Sequence, residues 1–325
     1  MQPSAAFAPD LVAAPAADFA EDVRAGLSSQ PRSIPPRWLY DALGSALFEA
    51  ICQLPWYRIT RAERALLQHA ALAIATRLPG TTAFVELGPG SGEKLACLVA
   101  GFTDDDRPLT AHLVDVSDRA LDLASRTMAQ VPRVRVVRHA ATFQVGLREA
   151  LAAPDPGRRL VAFLGSNIGN FEPAAADAFL AGIAARLRPG DALLLGADLV
   201  KREQDLLLAY DDPIGVTAAF NRNLLARINR ELGADFRLDQ FRHEARWVPE
   251  ASRVEMHLVS TRAQDVRVPG AGLQVRFAAG ESIWTESSYK FERSTLAQMA
   301  GRAGLELAGE WIDQDARFAL TLMIR

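Results

Sequence analysis

Apolar positions recur with two different periods along the chain, and the changes of period mark its organisation. Residues 1–17 show neither; they are low-complexity Ala/Pro sequence, expected to form a disordered tail. From Asp18 to about Pro55 the spacing is helical, broken at Pro31, Pro35 and Pro36. Within that stretch Tyr40–Leu54 sets Leu43, Leu47, Ile51 and Leu54 along one helical face. Thr60 followed by Glu63 has the form of a capping box. The helix it predicts runs through Leu66, Leu67 and Leu72 and ends near Pro79–Gly80.

Short apolar runs then alternate with helical stretches. Strands are predicted at Thr82–Leu87, Leu109–Val116, Val134–Arg138, Leu160–Gly165 and Ala192–Leu199. Helices are predicted at Lys94–Val99, Asp118–Gln130, Gly146–Ala152 and Pro173–Leu187, the last ended by Pro189–Gly190. This alternation implies a parallel sheet covered on both faces. Leu305–Trp311 and Arg317–Ile324 read as a closing hairpin, able to add an antiparallel strand to that sheet. Between the fifth strand and the hairpin the pattern changes. Pro213–Leu232 reads as one helix, with Asp212 as cap, Pro213 in the first turn and Gly233 just past the end. Arg253–Ser260 and Gly272–Phe277 read as antiparallel strands. An insertion of roughly ninety residues at such a place forms a functional lid or subdomain.

Composition narrows the classes. The 325 residues suffice for one large domain or two moderate ones. A net charge of −3 leaves no basic field to recruit nucleic acid or an anionic membrane, and no apolar run is long enough to span one. Cys52 and Cys97 match neither a disulfide framework nor a zinc site, and the five histidines lack metal-ligand spacing. No serine has a triad signature around it. The expectation is a cytoplasmic protein, monomeric, with no metal and no covalent nucleophile.

The most informative stretch is Phe84–Glu93, FVELGPGSGE, a strand leading into glycines at 88, 90 and 92. Such a turn bends sharply and lets a ligand approach the backbone. A dinucleotide site prefers GxGxxG aimed at a pyrophosphate. Here the spacing is GxGxG, Glu93 occupies the third dinucleotide glycine position, and acidic Glu86 precedes the turn. A cationic ligand without phosphate suits this better, and S-adenosylmethionine is the candidate; an ordinary strand-to-helix turn is the alternative. Asp115, at the end of the second strand, can accept both ribose hydroxyls of a nucleoside, or merely cap the next helix, where Asp118 is better placed. Asn167, in SNIGNF after the fourth strand, can orient a zwitterion or serve as a turn residue. The proline pair and aromatic residue expected of a DNA amino-methyltransferase are absent there. Tyr210 precedes the long insertion helix, and Glu286 and Ser288 lie in ESIWTESSYKF, where bulky apolar residues alternate with polar ones.

The stretches YDALGSALFEAICQLPWYRITRAE, VELGPGSGEK, FLGSNIGNFEP, YDDPIGVTAAFNRNLLARINRELGADF, VEMHLVS and ESIWTESSYKF resemble the histidine-specific Nα-methyltransferase family of ergothioneine biosynthesis. The resemblance implies a class I S-adenosylmethionine-dependent methyltransferase, an α/β Rossmann-like fold with a mostly parallel sheet and a C-terminal antiparallel hairpin, plus a smaller α+β substrate domain. The substrate domain would comprise residues 18–60 and 200–288, and the cofactor domain 61–199 and 289–325. It further implies that Glu86, Gly88, Gly90, Lys94 and Asp115 serve the cofactor, with Thr142 and Phe143 near adenine. Asn167 and Tyr210 would hold the α-carboxylate and amino group of L-histidine. Tyr40 and Tyr57 would lie beside the amine and imidazole, with Tyr40, Asn167 and Tyr210 as the catalytic set. Glu286 and Ser288 would bond the imidazole, and Met256 would shape its pocket. One position departs: the family's Gly-Asp-Phe is Ala141-Thr142-Phe143 here, so adenine would meet a hydroxyl in place of a carboxylate. The implied reaction is in-line methyl transfer to the neutral α-amine, three times, giving hercynine and S-adenosylhomocysteine. A methyltransferase for another aromatic amino acid or amine, and a non-catalytic sensor of cofactor or product, are the competing readings.

Overall fold

Helix capping and strand alternation account for most of what the computed structural model describes, which is residues 16–102 and 107–325. The tail expected at 1–17 lies outside these up to residue 15, and a helix already begins at Ala16. In chain order the strands are β1 (Arg32–Ser33), β2 (Thr81–Leu87), β3 (Leu109–Asp115), β4 (Val134–Ala140), β5 (Arg158–Phe163) and β6 (Ala192–Asp198). Then follow β7 (Phe241–Val248), β8 (Arg253–Ser260), β9 (Gln264–Val268), β10 (Leu273–Phe277), β11 (Ser282–Tyr289), β12 (Glu306–Asp313) and β13 (Phe318–Ile324). The helices are α1 (Ala16–Ser28), α2 (Ala42–Ile51), α3 (Ile59–Arg77), α4 (Glu93–Val99) and α5 (Asp118–Met128). They continue as α6 (Phe143–Ala152), α7 (Pro173–Ala184), α8 (Glu203–Tyr210), α9 (Val216–Leu232) and α10 (Arg293–Arg302). The chain divides into two units: Ile59–Val200 with Lys290–Arg325, and residues 16–58 with Lys201–Tyr289.

The first unit is built on a sheet of order β12-β13-β6-β5-β2-β3-β4. The five strands β2 to β6 run parallel, and β13 joins β6 antiparallel with β12 outside it, as the hairpin reading expected. Every residue of β6 is buried, which explains its unbroken apolar run. Strand order reverses between β2 and β5, so ligands are expected beyond the carboxyl ends of those two strands.

Two readings of helix caps fail here. Helix α3 starts at Ile59, so Thr60 lies inside it and Glu63 completes no capping box; the Glu63 side chain is wholly buried. Leu72 is 62% exposed, because the inward face is Ala62, Leu67, Ala70 and Ile74. Helix α5 is capped by Ser117, whose Oγ accepts the Ala120 N–H, and not by Asp118.

The second unit contains a four-stranded sheet, β1-β11-β8-β7, and a separate two-stranded sheet, β9-β10. Arg253–Ser260 and the Leu273–Phe277 strand are thus both antiparallel, but with different partners. Helix α8 falls in a stretch where no helix was anticipated. Helix α9 starts at Val216 and not at Pro213, since Gly215 takes a left-handed backbone (φ 81°) just before it. Asp212 still serves this end, accepting N–H groups of Ile214, Val216 and Thr217. In α2, Asp41 is the cap, and Leu43 is 54% exposed, off the buried face.

A bulge in β11 decides which face its polar residues occupy. Ile283 lies opposite Leu258 and Trp284 opposite His257, but Glu286 lies opposite Met256 and Ser288 opposite Val254. Thr285 is the extra residue. Simple alternation would put Glu286 and Ser288 on the Trp284 face; the inserted residue turns them onto the face of Met256 and Ile283.

Candidate active site

In the first unit the glycine turn leaves β2 with Gly88, Gly90 and Gly92 all at positive φ, a backbone that side chains rarely adopt. The Gly88 N–H donates to the Val114 carbonyl at 2.9 Å, anchoring the turn to β3. A Cβ on Gly88 would stand 3.4 Å from Asn167 Nδ2 and 3.5 Å from the Phe143 ring, so these side chains flank the turn. Asn167 opens a short 3-10 turn after Gly165 and Ser166, both left-handed. Ser166 is held in that strained conformation by its own Oγ, which accepts the Asp198 N–H at 2.9 Å.

Glu63 organises the floor of this region. Its carboxylate accepts the Gly165 N–H at 2.8 Å and pairs with Lys94 Nζ at 2.8 Å. One buried group thereby fixes both Lys94 and the turn that carries Asn167. No spacing signal marks Glu63 for this role; its position after Thr60 points to a cap instead.

Glu86 is fully buried, and neither carboxylate oxygen has a hydrogen-bond partner within the protein. Burial, opposed by Lys94 and assisted by Glu63 and Asp115, pushes its carboxyl up to about 8. A buried acceptor of this kind suits a cationic or strongly donating ligand group, as the ammonium and sulfonium of S-adenosylmethionine are. Asp115 ends β3, one oxygen accepting the Ser117 N–H at 2.8 Å, and burial raises its pKa against the Ser117 and Val116 amides. Thr142 caps α6, its Oγ1 accepting the Val145 N–H at 3.4 Å, and Phe143 is buried beside it. The residues present fit this cofactor: an ammonium for Glu86, a carboxylate for Lys94 and a ribose for Asp115.

Glu86 also makes folding stability depend on pH. Between about 4.5 and about 8 the folded chain holds a proton that the unfolded chain has lost, so this group lowers stability as pH rises through that window. Glu86→Gln is therefore expected to melt higher than wild type at pH 8, with the gap closing toward pH 5, while binding S-adenosylmethionine more weakly. Thermal melts at the two pH values check this; a gap between variant and wild type that is no larger at pH 8 than at pH 5 would refute it.

The other candidates gather in the second unit. Tyr210, at the end of α8, and Ser288 share a hydrogen bond of 2.7 Å between hydroxyls. The Tyr57 ring lies 6.3 Å from that of Tyr210 and 6.2 Å from Phe48. Tyr40 packs edge-on against Phe48 and Phe220 at 5.6 and 5.4 Å. Met256 and Glu286 face each other across β8 and β11, both buried. Desolvation raises the Tyr40 and Tyr57 phenols well above their usual value, with Glu286 adding to both. They remain neutral hydroxyls at physiological pH. Of the predicted substrate residues, only Asn167 belongs to the first unit. Among the described residues no group of three or more His, Cys, Asp or Glu could hold a metal ion, and no helix is long and apolar enough to cross a membrane.

Topology, glycine turn and buried carboxylate together define a class I S-adenosylmethionine-dependent methyltransferase. The chain belongs to the histidine-specific, SAM-dependent methyltransferase family, whose model matches residues 19–325. It is 44% identical to the histidine N-alpha-methyltransferase of Mycolicibacterium smegmatis over 94% of each chain. Identity to the Mycobacterium tuberculosis enzyme of the same name is 42% over 93% of each. The ergothioneine biosynthesis protein 1 of Neurospora crassa is 30% identical over 86% of this chain and 32% of that one.

Proposed function

We propose that the chain trimethylates the α-amino nitrogen of L-histidine to hercynine, the entry to ergothioneine. The observation that carries this is the cluster that Glu286 and Ser288, on one face of the bulged strand β11, form with Met256 of β8 and Tyr210 of α8. A carboxylate and two hydroxyls beside aromatic rings match the donors and flat ring of histidine.

S-adenosylmethionine, when bound, supplies the methyl group and is released as S-adenosylhomocysteine. Lys94 and Glu86 hold the charged ends of its methionine, Asp115 the ribose, and Thr142 and Phe143 the adenine, with Gly88 and Gly90 allowing close approach. Asn167 and Tyr210 hold the amino acid's carboxylate and amine. Glu286 and Ser288 fix the imidazole, and Tyr57 walls the ring. Tyr40, kept neutral by its surroundings, accepts an N–H of the amine on its phenol oxygen, which leaves the nitrogen lone pair free for the methyl group. Orientation at near-attack distance is then the main work of the protein, and the ammonium left by each of the first two transfers releases a proton to solvent before the next. Its domains divide accordingly, residues 61–199 and 289–325 serving the cofactor and 18–60 and 200–288 the substrate.

Mass spectrometry of the protein with S-adenosylmethionine and all twenty amino acids tests the reading. Histidine alone should gain three methyl groups. Methylation of a different amino acid would overturn the imidazole roles of Glu286 and Ser288. No transfer to any, with Thr142→Asp equally inactive, would overturn the enzyme reading. The net charge of −3 supports action on a free amino acid, without a field that attracts nucleic acid or an anionic membrane. Light scattering is expected to return one 35.3 kDa chain, and a doubled mass would refute the monomer.

A further inference from the structure

We propose that Thr285, Asn221 and His243 form a positioning chain that pins the β11 bulge and so sets Glu286 and Ser288 against Tyr210. The proposal rests on the substrate reading above. Thr285, the bulge residue, directs its hydroxyl to Asn221 Oδ1 at 2.7 Å and the Met256 carbonyl at 3.0 Å. Asn221 Nδ2 donates to His243 Nδ1 at 2.9 Å and to the His257 carbonyl at 3.2 Å. His243 Nε2 donates to the Tyr210 carbonyl at 2.7 Å. On the other side, Trp284 Nε1 donates to the Glu286 carbonyl at 2.9 Å.

The chain has a single consistent sense. The Tyr210 carbonyl can only accept, so His243 carries its proton on Nε2 and its Nδ1 must accept. That demands the Asn221 NH2 and turns Oδ1 toward Thr285, whose hydroxyl completes the series. Asn221, Thr285 and His243 are 0%, 1% and 7% exposed, so water cannot replace a lost member. None of the three is assigned a substrate contact. Their effect is on register: without the extra residue at 285, Glu286 and Ser288 would turn to the Trp284 face and leave Tyr210 and Met256 behind. The two recognition elements, the end of α8 and strand β11, are thus joined by buried hydrogen bonds as well as by the Tyr210–Ser288 contact.

Thr285→Val removes the hydroxyl at nearly constant volume, and Thr285→Ser retains it. Calorimetry with histidine and with S-adenosylmethionine gives the readout. Thr285→Val should weaken histidine binding about tenfold, leave cofactor binding unchanged, and lower the preference for histidine over phenylalanine in kcat/KM. Thr285→Ser should restore wild-type affinity. In a double-mutant cycle with Glu286→Gln the losses should be less than additive, since Thr285 acts through Glu286. Unchanged histidine affinity, equal loss for both ligands, no rescue by Ser, or additive losses would each overturn the chain. If Thr285→Val does not fold, His243→Asn cuts the link to Tyr210 alone, and the same histidine-selective loss is required of it. Wild type is titrated first. Failure of wild type to bind histidine overturns the substrate reading and this inference with it, whereas wild-type binding that Thr285→Val leaves intact overturns the positioning chain alone.

Discussion

Glu63→Ala is expected to cost about 3–5 kcal/mol of unfolding free energy, the usual penalty for removing one member of a buried ion pair. Two interactions are lost at once: the ion pair with Lys94 Nζ, on a mostly buried side chain, and the acceptor of the Gly165 N–H. Cofactor binding should fall with stability, because Lys94 is then no longer aimed and the turn carrying Asn167 is released. Glu63→Gln keeps an oxygen for Gly165 but loses the charge, so its losses should be intermediate. A second route reaches the same group. A Cβ on Gly196 would lie 1.9 Å from Glu63 Oε1, so Gly196→Ala should displace the carboxylate and reproduce part of the defect. Urea melts and cofactor calorimetry on the three variants check this. An alanine variant with wild-type melting and cofactor affinity would show that Glu63 holds nothing in place.

Glu286→Ala is expected to weaken histidine binding by about ten- to a hundredfold, the range for a hydrogen bond to a charged group in a buried site, with S-adenosylmethionine affinity unchanged. The selectivity has a physical cause. A buried carboxylate that finds no ring nitrogen penalises analogues lacking one, so its removal should also narrow the gap between histidine and other aromatic amino acids. Calorimetry with both ligands checks it, and equal losses would take Glu286 out of the substrate site. Because Glu286 raises both Tyr40 and Tyr57, the same variant should bring their phenol titrations down.

Much of the first unit was legible because its signals are local. Strand periodicity, the glycine turn and the closing hairpin each depend on neighbours in sequence, and the strands β2 to β6, β12 and β13 stand where those signals put them, within a few residues. Capping was less legible. Asp118 and Thr60 each read as a cap and Pro213 as a first turn, and the structure caps or begins those helices elsewhere, under packing that no short window contains.

The sequence by itself determined the alternating α/β order, the glycine turn with its preceding acid, and, through the stretches around Tyr40, Asn167, Tyr210 and Glu286, the family to which the chain belongs. Tertiary structure alone decided what Glu63 does and which way Glu286 faces. Glu63 meets Gly165 across 102 residues of sequence, and burial of that contact outweighs a capping bond that Thr60 and Glu63 could have made locally. The face of Glu286 turns on one extra residue at 285, held by Asn221 from 64 positions away. A two-residue alternation cannot register such a bulge, because it is stabilised by hydrogen bonds to another element and not by the strand itself.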